Sequence, residues 1–379
     1  MAKQLPASAL QAGRDYPRDY AELCAWFPDD DACLDYLEWL RWPDGFVCPR
    51  CGTTKSWRMS DGRLWCERCR RRVSVTMGTI FHRTRTPLTV WFAVAWYMTS
   101  AKNGVSAKTL QRLLGFGSYQ TAWTMLHRFR TAMVRPDRDR LSGEVEVDET
   151  LVGGEEHGGK RGRGAGRKSL VAVAVEVLSP KGFGRVRLRY VPDASGVSLV
   201  PFVCDAVEHG ATVLTDGWSG YNDLAMHGFI HQRTIVSDSG DPAHVSMPGV
   251  HRVAALLKRW LLGTHQGAVE SDHLQGYLDE FTFRFNRRHS AFRGLLFRRL
   301  LEQAAQTGPM TYRSLVANPA PKTIPPRPLP PPRQLAHGET TTSRGYRTQM
   351  DTPFMQLVTT TSRCHLLKRS AMRSRMQLR

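Results

Sequence analysis

The sequence of 379 residues contains no apolar run long enough to cross a bilayer; its longest, such as SLVAVAVEVL, are the size of a strand, whereas a spanning helix needs about 20 apolar residues. A secretory signal is missing too, because MAKQLPASALQAGRDYPRDY has no uninterrupted apolar centre. These two absences predict a cytoplasmic protein, and they argue against a membrane-surface role, which would need an apolar span or an amphipathic anchor. Acids are scarce: 34 Asp and Glu stand against 53 Lys and Arg, giving a formal net charge of +19 and a pI near 10.0. Such an excess of positive charge gathers around phosphates and releases their counterions, so a polyanion, nucleic acid first, is the expected partner. Cysteine is sparse as well, with eight residues: Cys48, Cys51, Cys66 and Cys69 form two close pairs, while Cys24, Cys33, Cys204 and Cys364 are scattered. That is the spacing of a metal site and not of a disulfide framework. The 41% of hydrophobic residues is enough to build the cores of two or three domains.

What the chain does have begins with CPRCGTTKSWRMSDGRLWCERC, which follows the pattern Cys-x2-Cys-x14-Cys-x2-Cys. Each pair, on a tight turn, presents two thiolates to one tetrahedral zinc. Four cysteines leave no open coordination position, so this Zn2+ is structural and contributes folding energy. A redox role for Cys-x-x-Cys is the rival, and two such pairs at this separation disfavour it. Arg50, Lys55 and the run RCRRR surround the site; they stabilise thiolates and leave a face for phosphate.

Before the cysteines, YAELCAWFPDDDACLDYLEWLRW reads as two short helices broken at Pro28, the second capped from the Asp run, with Cys24 and Cys33 as buried apolar residues. After them, PLTVWFAVAWYMTSAKNG suggests a buried helix. Two further helices follow, capped by Ser106 and Ser118 and separated by a short GFG turn; the second carries His127, Arg128 and Arg130. This pair fits either a helix-turn-helix or an ordinary helical hairpin. From Gly143 the pattern changes to strands: EVEVDETLV, SLVAVAVEVL and RVRLRYVPDA, then a helix and the strand ATVLTD, which together imply a mixed sheet. Between the first two strands, EEHGGKRGRGAGRK is too rich in Gly and charge to pack and is expected to be a mobile basic loop. Two later helices are expected from VHRVAALLKRWLLGT and SDHLQGYLDEFTFRFNRR. Beyond residue 317 the chain turns proline-rich and then polar, as a linker and disordered tail would.

The stretch GEVEVDETLVGG concentrates Glu144, Glu146, Asp148 and Glu149 in a basic chain. Strand alternation sends Val145 and Val147 one way and Glu144, Glu146 and Asp148 the other. Either this is a solvated edge strand kept soluble by its acids, or a cation belongs beside Asp148. A second acid, Asp216, follows the apolar strand ATVLTD and precedes Gly217. The carboxyl end of a strand is where α/β folds place functional groups, although an Asp-Gly pair is also an ordinary turn. In GVHRVAALLKRWLLGTHQG, His251 and Lys258 lie seven residues apart and project from one helix face.

Taken together, the cysteine ribbon followed by MGTIFHRTRTPL, then VDETLVGG with GKRGRG, LTDGWSGY, and LLKRWLLGTHQG leading into YLDEFTFRFNRR resemble bacterial insertion-sequence transposases of the DDE superfamily that carry an N-terminal zinc ribbon. The resemblance runs from about residue 20 to about residue 300 and implies a ribonuclease-H-like core. In that fold the first acid lies on the first strand, the second follows the fourth, and the third ligand sits on a later helix. The domains expected are N-terminal helices and zinc ribbon (15–86), a helix-turn-helix region (87–140) and a ribonuclease-H-like α/β catalytic domain (141–317), followed by a proline-rich, basic, disordered tail (318–379) that has no place in the family pattern. Asp148 and Asp216 would bridge two divalent ions, Mg2+ or Mn2+, with Lys258 holding a phosphate; a surface lysine is the alternative for the last. Alignment on LLKR puts Pro248 and His251 where the family has Asn or Glu, so His251 is expected as the third ligand, ahead of Glu270 and Asp272; an exposed histidine in an inactive protein is the alternative. The implied partners are double-stranded DNA, as element ends and target, and a second copy of the chain, in a nucleoid-associated complex. A decayed transposase that only binds DNA, and an endonuclease that cleaves without joining, are the rival functions.

Overall fold

The computed structural model describes residues 9–135, 137–153, 168–234, 247–267 and 269–317. All but the last residue of the basic loop after the acidic strand, and the whole tail from residue 318, lie outside the described residues.

Helices α1 (Tyr20–Trp26) and α2 (Asp30–Arg41) begin where aspartates satisfy their first amides: Asp19 accepts from the Glu22 N–H and Asp29 from the Ala32 N–H, each at 2.8 Å. Cys33 is buried on α2 as expected, but Cys24 on the shorter α1 is exposed. About two turns of amphipathic sequence are too little to fix which flank meets the core. Strands β1 (Ser56–Arg58), β2 (Leu64–Cys66) and β3 (Arg72–Val73) form a small antiparallel sheet. The apolar helix α3 (Leu88–Ser100) is buried over most of its surface, with Trp91, Phe92, Val94 and Ala95 inside. Serines 106 and 118 cap α4 (Ala107–Leu113) and α5 (Tyr119–Ala132).

The strand-rich half contains β4 (Glu144–Val152), β5 (Ser169–Val177), β6 (Phe183–Val191), α6 (Gly196–Ala206), β7 (Thr212–Thr215), a 3-10 helix (Ser219–His227), β8 (Ile230–Arg233), α7 (Pro248–His265) and α8 (Ser271–Phe285). Two helices, α9 (Arg293–Ala304) and α10 (Tyr312–Ala317), follow. The sheet order is β6-β5-β4-β7-β8. The pairs β6–β5 and β5–β4 are antiparallel, and β7 and β8 run parallel to β4. This is the mixed sheet that three hairpin-linked strands and an α/β crossover imply. Strand β4 is therefore central, and its acids do not decorate a solvated edge. Val145, Val147 and Val213 pack on one face with Leu199, Phe202 and Val203 of α6. Val171, Val173 and Val175 pack on the other with Val250, Val253 and Leu257 of α7 and Leu278 of α8.

Helix α5 is wedged between the helical half and this sheet domain. His127 and Arg130 face inward, 4% and 1% exposed. The Arg130 Nε donates to Glu280 Oε2 of α8 at 2.9 Å, and its guanidinium lies 3.9 Å from the Tyr277 ring centroid. Arg128 reaches the Ile80 carbonyl. The three basic side chains of this helix are thus largely spent inside the protein, because their partners come from segments far away in sequence.

Candidate metal centre and active site

The four ribbon cysteines converge. Their sulfur atoms all lie within 4.8 Å of one another, with Cys48–Cys69 at 3.7 Å and Cys51–Cys66 at 3.5 Å. A tetrahedron with metal–sulfur bonds of about 2.3 Å has edges of about 3.8 Å, so the donor set fits zinc. Burial opposes ionisation of the Cys48 thiol, but the N–H groups of Cys51 and Arg50 and the Cys51 and Cys66 thiols outweigh it and bring it down to about 7. Both pairs use one turn: the Gly52 N–H donates to the Cys48 carbonyl and the Arg70 N–H to the Cys66 carbonyl, each at 2.9 Å. In both turns the residue after the second cysteine is left-handed, Gly52 with φ 73° and Arg70 with φ 50°. Glycine adopts that conformation without penalty, whereas arginine is strained there.

Around the second turn Arg50, Arg68, Arg70, Arg71 and Arg72 are exposed, and none of the five forms an ion pair with another described residue. Four of them, with Trp65, line a groove of about 430 Å³ beside the cysteines. Trp65 stacks with the exposed Trp57 at 5.9 Å. Unpaired guanidinium groups beside an aromatic surface suit a phosphate backbone.

The acids of β4 separate by face and by partner. Val145, Val147 and Glu149 alternate with Glu144, Glu146 and Asp148. Glu146, only 3% exposed, accepts the Val250 N–H of α7 at 2.9 Å. Burial pushes its carboxyl above the ordinary value, the Val250 and Gly249 amides oppose the rise, and Glu144 adds to it. Asp148 Oδ1 accepts the Glu149 N–H at 2.7 Å, and Glu149 Oε2 accepts the Tyr221 hydroxyl at 2.8 Å.

Strands β4 and β7 pair in the register Glu144 with Thr212, Val145 with Val213 and Glu146 with Leu214. The pairing ends at Glu146 and Leu214, and Asp148 and Asp216 each lie two residues further along their chains. Asp216 lies one residue past β7, where its Oδ1 accepts the Trp218 N–H at 3.0 Å and closes the turn through Gly217. The buried Tyr221 phenol feels both acids: burial raises its pKa well above the ordinary value, and Glu149, Asp148 and Asp216 all push it further. Helix α7 lies on the Asp148 face. Lys258 projects from it within electrostatic range of Asp148; burial of its stem and the charge of Lys168 lower its pKa, and Asp148 opposes them. His251, half-buried, directly follows Val250 on the first turn, about 10.5 Å along the axis from Lys258. Asp148 thus lies within electrostatic reach of Lys258, Tyr221 lies within reach of both Asp148 and Asp216, and His251 stands at the start of the helix that carries Lys258. The sequence reading did not single out Tyr221 or separate Glu146 from the other acids, since both act through partners more than 70 residues away.

Residues 140–286 match the family described as the ISXO2-like transposase domain, and residues 28–72 match the transposase zinc-ribbon domain. The chain belongs with the zinc-ribbon insertion-sequence transposases. In this transposase the first match spans β4 through α8 and so takes in Asp148, Asp216, His251 and Lys258; the second contains all four metal-site cysteines. The mixed five-stranded sheet suits the ribonuclease-H-like core of such enzymes. No curated protein matches the chain. No described helix is long and apolar enough to cross a membrane.

Proposed function

We propose that this transposase binds the ends of its element, cleaves them and joins the freed 3′-hydroxyl to target DNA at a site built on Asp148 and Asp216. The reading is supported by the placement of the two acids, each two residues beyond the last paired position of the parallel strands β4 and β7, and by the buried Tyr221 phenol, which feels both. Two hard carboxylates, with an imidazole from the start of α7, would be a donor set for Mg2+ or Mn2+. Two such cations, when bound, activate a water and stabilise the leaving oxygen of a phosphodiester. Asp148 and Asp216 would hold them, and His251, as a neutral imidazole, would complete the set and tilt preference toward manganese. Lys258 steadies a phosphate oxygen as a point charge. In the first step water replaces the 3′ oxygen at phosphorus; in the second, that 3′-hydroxyl replaces a 3′ oxygen of the target strand, one phosphodiester bond forming as another breaks. No nucleotide triphosphate is consumed.

The unpaired arginines of the ribbon hold the DNA backbone, Zn2+ keeps their turn folded, and two copies of the chain bring two ends together. A strand-transfer assay with labelled element ends and a supercoiled target tests the proposal, because only a transposase yields joined products. Binding without cleavage would instead identify a DNA-binding protein, and cleavage without joining an endonuclease. Within the same assay, His251→Ala should eliminate joining and His251→Glu should retain some of it with a shift toward magnesium; wild-type rates in the alanine variant would remove His251 from the site.

A further inference from the structure

Two carboxylates flank Asp148 on β4, and each reaches a segment that carries another residue of the proposed site. Glu146 shares the Asp148 face and meets the start of α7, where the amides of the first turn have no intrahelical acceptor. Its Oε2 accepts from Val250 at 2.9 Å, with the Gly249 amide as a second donor. The fit leaves no space: a Cβ on Gly249 would lie 2.8 Å from Glu146 Oε2 and 3.0 Å from the Phe183 ring. The next residue after this contact is His251. On the opposite face, Glu149 Oε2 accepts the Tyr221 hydroxyl at 2.8 Å. Tyr221 is fully buried and sits in the 3-10 helix that follows Asp216.

We infer that Glu146 and Glu149 are positioning residues: they clamp the His251 helix and the Asp216 segment onto the strand of Asp148, so that ligands from three segments hold one geometry. The inference rests on the reading of Asp148, Asp216 and His251 as a divalent-cation site. It explains why acids concentrate on one buried strand of a basic protein. One carboxylate serves the cation, and its neighbours fix the elements that carry the other ligands.

The test uses the full-length protein and two readouts, calorimetric titration with Mn2+ alone and amide hydrogen exchange at Gly249 and Val250. Glu146→Ala should speed exchange at both amides about tenfold, the loss of one hydrogen bond to a charged acceptor, and weaken Mn2+ binding by a similar factor. Glu146→Gln keeps an acceptor oxygen without the charge and should stay within about threefold of wild type on both readouts. Tyr221→Phe should weaken Mn2+ binding while leaving exchange at Gly249 and Val250 unchanged. Should Glu146→Ala not fold, the other two variants carry the test. Wild-type Mn2+ affinity in Glu146→Ala and Tyr221→Phe overturns the inference, as does a glutamine variant as weak as the alanine one, which would make the acid a ligand itself. Asp148→Asn separates the two levels: undiminished Mn2+ binding there sinks the site, whereas lost binding there with intact binding in Glu146→Ala sinks only the clamp.

Discussion

Replacing Arg70 by glycine should move stability and DNA affinity in opposite directions. Arg70 sits at φ 50°, the same place in its turn that Gly52 occupies in the first one. An L-residue held left-handed costs about 1–2 kcal/mol. Glycine removes that strain but enlarges the unfolded ensemble, a loss of roughly 0.4–1 kcal/mol. The balance is a ribbon stabilised by about 0.5–1 kcal/mol in the variant, read as slower zinc release to a chelator or as a higher denaturant midpoint. The same change deletes one unpaired guanidinium from the groove beside the cysteines. If Arg70 touches a phosphate, the slope of log affinity against log salt should fall in magnitude by about 0.9. Arg70→Lys keeps the charge and should keep the slope. A glycine variant that is less stable and has an unchanged salt slope would refute both halves of the reasoning, the strain and the reason it is tolerated.

Three further expectations follow from the packing. His127, buried against Trp123, His273 and Tyr277, has its pKa depressed chiefly by burial and then by the charge of Arg130. Below about pH 6.5 the unfolded chain gains a proton that the native state refuses, so stability present above that pH is lost as pH falls. Wild type should lose about 1 kcal/mol more than His127→Phe between pH 7 and 5.5, measured by chemical denaturation; parallel curves would contradict this. Breaking the buried Arg130–Glu280 pair with Glu280→Gln should destabilise by about 3–5 kcal/mol, whereas the double change Arg130→Met with Glu280→Met should be much milder, since it leaves no charge behind. Gly52→Ala, at φ 73°, should weaken zinc retention by roughly 1 kcal/mol; unaltered retention would show that the turn tolerates a Cβ.

The parts legible in the sequence are those whose signal is local. Cysteine spacing gave the ribbon, serine and aspartate caps marked the starts of α2, α4 and α5, apolar alternation marked β4, and a continuous apolar run marked β5. The two acids could be placed in order along the fold because each stands on or directly after a strand with an unmistakable apolar pattern. Strand β8 gave no such warning, for IHQR has one apolar residue and pairs along a single edge of β7. The inward turn of Arg130 was equally hidden, because its acid lies 150 residues away. Glu146 and Asp148 looked alike for the same reason. What distinguishes them is a helix start 104 residues downstream of Glu146, and a periodic pattern carries no information about which distant amide a carboxylate will meet.

The most direct measurement of the central claim is single-turnover cleavage of a labelled element end, with end binding followed in the same reactions, for wild type, Asp148→Asn and Asp216→Asn. An amide in place of either carboxylate would remove a charge proposed to hold a divalent cation, and little contact area. The account predicts that both variants bind the end as wild type does and cleave nothing in Mg2+ or Mn2+. Cleavage by either variant at a rate near that of wild type would contradict it.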